Sequence, residues 1–158
     1  MTKKNILRLE HLLRVAQKEV NYLQQTTQRL SVEIINGEWV AQLDQQLDLA
    51  ERIDAFVARF GRLQDHLGDK LTPELLRQML ETPKTAIDNL NKMEKLGLLT
   101  SMLDWVEARN LRNRLVHEYV EDNQEFAEAI NRAIELVPLL TDTYRRFAQY
   151  ADEHFTGL

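Results

Sequence analysis

Hydrophobic residues recur along this chain at helical rather than strand spacing. Ile6, Leu9, Leu13, Ala16, Val20 and Leu23 are separated by 3, 4, 3, 4 and 3 positions, which predicts a long helix over 5–30 with near-heptad spacing. A second helix is predicted from Trp39 to Leu67 through Leu43, Leu47, Ala50, Ile53, Val57 and Phe60, with Gly68 as its C-terminal stop. Thr72-Pro73-Glu74 reads as N-cap, first-turn proline and first-turn acid, opening a short helix to about Leu80. Thr82-Pro83 repeats that signal and opens a helix ending near Gly97. Ser101-x-x-Asp104 is a capping-box variant that starts a helix running to about Val120. Asp122 or Asn123, with Glu125 behind it, starts the last long helix, which Pro138 is expected to kink by removing a backbone donor. Four long helices and one or two short ones with brief loops predict an all-α fold, an antiparallel four-helix bundle with a helical insertion. The irregular stretch from Gly61 to Leu99 is where a specialised surface is expected.

Composition narrows the chemistry. At 158 residues the chain has the size of one domain, and residues 1–158 are read as a single helical unit. There is no cysteine, so disulfides, thiolate metal sites and cysteine nucleophiles are excluded. No apolar run approaches the roughly 20 residues of a membrane span. The start, Met1-Thr2-Lys3-Lys4-Asn5, carries no cleavage signal, so a cytoplasmic protein that does not contact a membrane is expected. The formal charge of −5 excludes a globally basic nucleic-acid binder but not a local basic patch. His11, His66, His117 and His154 fall on different predicted helices with no Glu-x-x-His or His-x-x-x-His pair, so no metal site is expected. Glycine-rich phosphate loops and the G-x-S-x-G elbow are absent, and no cofactor is expected.

One stretch departs from the amphipathic pattern. Arg109, Arg112 and Arg114 lie within six residues of an acidic chain. On a helical wheel Val106, Asn110, Asn113, His117 and Val120 share a stripe in which two amides and an imidazole replace apolar groups. A polar insertion of that kind costs free energy unless its groups are paired or used. A second stripe holds Trp105, Ala108, Arg112, Leu115 and Tyr119. By spacing alone this is also the pattern of a partly buried helix with a core histidine and surface arginines. Five residues separate Arg112 from His117, roughly 140° on an ideal helix, so their convergence requires a distortion, long reach or a cleft shared with a second copy.

Arg112, four residues, His117, one residue, Tyr119 resembles the R-x4-H-x-Y motif of the HEPN-superfamily ribonucleases, specifically the HepT-type toxins. Phe60-Gly61-Arg62-Leu63-Gln64-Asp65, Asp88-Asn89-Leu90-Asn91 and Glu94-Lys95-Leu96-Gly97-Leu98 are similar to a HepT-like subgroup, and the likeness spans most of residues 40–135. The resemblance implies a HEPN-like homodimeric bundle with the motifs at the dimer cleft, and metal-independent RNA cleavage within a type VII toxin–antitoxin pair. It further implies an MntA-like nucleotidyltransferase antitoxin that adenylylates the motif tyrosine. On this chain Arg112 and His117 are then the catalytic pair and Tyr119 the modified residue.

The chemistry suits those residue types. Histidine titrates near neutral pH and moves a proton at the ribose 2′-OH, while arginine stays charged and forks onto phosphate oxygens. Asn113 is placed to orient the imidazole or hold the phosphate, and Arg109 and Arg114 to add phosphate attraction. Arg52, Arg59, Arg62 and His66 form another basic stripe, read as paired structural charge rather than an RNA track. Asp65 is either an acidic partner for the site or a helix-end residue, and His11 and His154 are incidental. An adenylate on Tyr119 would bring an anion beside Arg112 and block RNA. Two other readings stand beside the nuclease. One is a non-catalytic helical module that serves as accessory subunit to a small nucleotidyltransferase; the other is a structural helical adaptor.

Overall fold

The computed structural model describes residues 3–117 and 120–156, and side chains over 6–116 and 120–155. It is all-α, and no strand occurs among the described residues. The helices are α1 (Lys3–Ser31), α2 (Gly37–Ala41), α3 (Leu47–Asp65), α4 (Thr72–Gln78), α5 (Ala86–Lys95), α6 (Met102–His117) and α7 (Asn123–Ala151). No helix among the described residues is long and apolar enough to cross a membrane.

The α1 stripe is the face that the heptad-like spacing marks: Leu9, Ala16, Val20 and Leu23 are buried. It packs against α3 and α7, while α6 packs against α3 and α7 from the other side. The core between them is built from Phe56, Phe60 and Leu63 of α3, Trp105 and Ala108 of α6, and Ile130, Ala133, Leu140 and Phe147 of α7. α6 and α7 are also joined by Arg132, which donates from Nε and Nη2 to the two carboxylate oxygens of Glu107 at 2.8 and 2.7 Å. That two-pronged bond holds the Glu107 carboxyl below its ordinary pKa, against a smaller opposing effect of burial.

The predicted helix from Trp39 to Leu67 is divided. The Asn36 side chain accepts from the Trp39 amide at 2.9 Å and caps the five-residue α2, whose buried Trp39 faces α7. A 3-10 turn at Leu43–Gln45 and a non-helical Gln46 (φ −121°, ψ 75°) precede α3, so Leu47 is exposed and not part of the buried stripe.

Gly68 does not stop the helix. Its φ is not positive, and the chain continues from α3 to α4 through a π turn at His66–Leu71. Thr72 is not an N-cap: its amide and its hydroxyl both donate to the Leu67 carbonyl, the hydroxyl at 2.7 Å, an i to i−5 pattern that widens the helix by one residue. Pro73, which lacks an amide donor, is accommodated one position later. Nor does Thr82 cap α5. Thr85 does, accepting from the Asp88 amide at 3.2 Å. The expected ends at Gly97 (φ 75°) and Ser101, whose hydroxyl accepts from the Asp104 amide at 3.1 Å, are found. Asp122 caps α7 through the Glu125 amide at 2.9 Å, and α7 stays helical through Pro138 to Ala151.

Candidate functional site

α6 crosses α3 where α3 is narrowest. A Cβ built on Gly61 would lie 3.0 Å from both Cγ and Nε of Arg112, and one on Gly68 would touch the Trp105 ring at 3.5 Å. The absent side chain at Gly61 therefore leaves the trough in which the Arg112 stem lies, and Gly68 makes room for the Trp105 ring. Its guanidinium emerges beside Asp65, with Nη2 donating to Oδ2 at 2.8 Å and Nη1 to Oδ1 of Asn113 at 3.1 Å. The Arg112 side chain is about one quarter exposed and that of Asp65 about half. The pair is thus open to solvent on one side.

Around this pair lies a cleft of about 170 Å³ lined by Gln64, Asp65, Asp69, Arg109, Arg112 and Asn113, with Ala86 and Leu90 of α5 as the opposite wall. Two buried polar atoms border it without a hydrogen-bond partner among the described residues, Nε of Arg112 and Oε1 of Gln64. The Gln64 amide nitrogen is used, donating to the Trp105 carbonyl at 3.4 Å. Arg109 is exposed and makes no ion pair among the described residues.

The cleft thus gathers Arg112, Asn113 and Arg109 and adds Asp65, the acid beside the first of them. Arg114 lies outside it, directed to Glu125 in the first turn of α7 at 3.4 Å. His117 closes α6, and its side chain lies outside the described residues, as does Tyr119 altogether. Gln64 and Asp69 are cleft residues that the sequence reading passed over. Gly68 was expected to end the helix, whereas the continuous π turn sets Asp69 one turn beyond Asp65. The i, i+4 spacing of the two acids was the available signal.

The polar stripe of α6 is not the core-facing one. Asn110 is exposed and Val106 and Asn113 are half-buried, so those amides carry little burial cost. The stripe of Trp105 and Ala108 faces the core, and Arg112 is the polar group that extends it. Of the α3 basic stripe, Arg59 donates to the Tyr22 carbonyl at 3.0 Å and to the Thr26 hydroxyl, and Arg52 reaches Glu33. Both therefore fasten α3 to α1 and to the segment after it. His66 is buried, its Nε2 donating to the Leu12 carbonyl at 2.8 Å. His154 stacks on Tyr150 with ring centroids 4.0 Å apart, and His11 is exposed. Among the described residues no three His, Asp or Glu side chains gather as metal ligands.

No protein-family model, no curated protein and no solved structure matches this chain.

Proposed function

We propose that this protein is a HEPN-like, HepT-type ribonuclease toxin that cleaves RNA without a metal ion, with Arg112 and His117 as its catalytic pair. The observation that carries this reading is the placement of Arg112. An arginine in the core-facing stripe of α6 is held by Asp65 and Asn113 with its guanidinium at the mouth of a polar cleft. In that role Arg112 binds the phosphate oxygens, where negative charge grows as the ribose 2′-OH attacks phosphorus. His117, at the C-terminal end of the same helix, accepts or returns the proton. Arg109 adds attraction for the incoming backbone.

Several features support the wider reading. α1, α3, α6 and α7 contact one another in a closed ring, as an antiparallel four-helix bundle requires. α6 exposes Leu103 on the face opposite Trp105 and Ala108, which suits burial against a second copy. The proposed antitoxin is an MntA-like nucleotidyltransferase that adenylylates Tyr119, and the proposed compartment is the cytoplasm.

The deciding experiment incubates the protein with total cellular RNA and a chelator, beside Arg112→Ala and His117→Ala. Cleavage by the parent and by neither variant is the expected result. No cleavage, or equal cleavage by all three, overturns the reading.

The engagement of the Arg112 guanidinium by Asp65 and Asn113 also suits a second reading, a non-catalytic accessory subunit of a small nucleotidyltransferase. There Arg112 is only a packing element. Under it neither variant changes RNA, and the complex with the nucleotidyltransferase survives both substitutions.

A further inference from the structure

A second concavity of about 520 Å³ lies on the other side of α5, lined by Glu81, Lys84, Asp88, Asn91, Lys92 and Lys95 among others. Three of the chain's seven lysines meet here, against two carboxylates, in a protein whose formal charge is −5. Lys92 is 3.5 Å from Glu81, which is half exposed, while Lys84 and Lys95 are exposed and make no ion pair among the described residues.

Lys84 is firmly placed. The buried Asn89 side chain accepts from the Lys84 amide at 2.7 Å and donates to the Lys84 carbonyl at 3.3 Å. Both backbone groups of this loop residue are thereby fixed to the first turns of α5. Two positions later, Ala86 lines the cleft that holds Arg109 and Arg112. Two residues of chain span at most about 7 Å, so the lysine concavity and the arginine cleft meet across the start of α5. That is about two steps of stacked nucleic-acid strand at 3.4 Å each.

We infer that the Lys84, Lys92 and Lys95 concavity binds the phosphodiester backbone of a single-stranded RNA whose neighbouring nucleotides occupy the Arg109 and Arg112 cleft. The inference rests on the ribonuclease reading for the identity of the strand, but it concerns binding, not cleavage. Lysines on flexible stems suit a sequence-tolerant backbone track, and the arginine cleft suits the one phosphate that must be held in register. Glu81 opposes binding by competing for Lys92.

The test measures binding of a labelled single-stranded RNA of about 12 nucleotides with a non-cleavable 2′-O-methyl backbone, from about 50 to 200 mM salt. The parent is compared with K84Q/K92Q/K95Q and with Glu81→Gln. These residues lie at the rim, so folding is checked by circular dichroism and is expected to be unchanged. Three phosphate contacts at about 0.7 each reduce the slope of log affinity against log salt by about 2, and the triple variant binds about tenfold more weakly at low salt. Glu81→Gln binds more tightly. Equal affinity and slope for parent and triple variant overturn the inference, as does an RNA that does not bind the parent at all. Displacement of the RNA by an acidic polypeptide at matched charge also overturns it, marking a protein-docking surface. If the parent binds in the expected way but never cleaves natural RNA, the ribonuclease reading falls and the lysine track stands. If Arg112→Ala loses cleavage while the triple variant binds as the parent does, the track falls alone.

Discussion

Gly61 and Arg112 are a fitted pair: the missing side chain of one is the space taken by the stem of the other, with Cγ and Nε both 3.0 Å from where a Cβ would stand. Gly61→Ala adds about 1 kcal/mol of helix propensity to α3 and opposes it with that contact. Arginine is long and one quarter exposed, so the side chain gives way rather than the backbone. The expected outcome is a thermal midpoint changed by no more than a few degrees with RNA cleavage strongly reduced. Gly61→Val, with two more carbons, also destabilises by about 1–3 kcal/mol. Full cleavage by a folded Gly61→Ala variant would show that the placement of Arg112 in this trough is irrelevant to activity.

Asp65 gives Arg112 its second constraint. Asp65→Asn keeps an acceptor at hydrogen-bond distance but removes the charge. The pair is partly solvated, so its loss costs less than about 1 kcal/mol of stability. The kinetic effects separate. A cleft with one less negative charge binds RNA more tightly, lowering KM, while a less constrained guanidinium lowers kcat, by about tenfold for a positioning loss of this kind. An unchanged kcat, whatever happens to KM, would remove Asp65 from the positioning of Arg112.

Leu80 is the one described residue other than glycine with a positive φ, 63°, and it is 95% exposed. It ends α4 in the left-handed conformation while the Glu81 amide closes back on the Leu76 carbonyl at 2.8 Å. A branched side chain there costs about 1–2 kcal/mol relative to glycine, and exposure gives nothing in return. Leu80→Gly is therefore expected to raise the thermal midpoint by about 2–4 °C, read by calorimetry. A lower midpoint would mean that Leu80 is covered by a contact outside this chain.

Capping chemistry made much of this arrangement legible in the sequence. Ser101, Asp122 and Gly97 each act through one side chain or one backbone angle and need no tertiary partner, and all three stand where their local signals put them. The stripe of α1 was legible because one face of a long helix meets the core along its whole length. Gly68 and Thr72 misled because the same residue types also serve a π turn, and the ring packed against Gly68 is that of Trp105, 37 residues further along the chain. The cleft was half legible. Arg112 and Asn113 announce themselves by interrupting a helical pattern, but Asp65 faces them only because Gly61 and Gly68 admit α6, a relation between helices that no local window contains.

Glu107 gives the fold a pH dependence through its bond to Arg132. The hydrogen bonds from Arg132 lower its folded pKa, so the carboxylate binds a proton less readily in the native state than in the unfolded chain, where the value is about 4.3. Folding stability from this pair is therefore complete above the unfolded value and is lost as pH falls through the lower folded value. Glu107→Gln is expected to lower the thermal midpoint at pH 7. The gap between variant and parent then narrows as pH drops from about 4.3 to below the folded pKa. Because Arg132 joins α6 to α7 on the side away from Asp65, RNA cleavage at neutral pH is expected to be little changed. A gap that stays constant from pH 7 to pH 2 would show that the Glu107 charge contributes nothing to holding α6 in place.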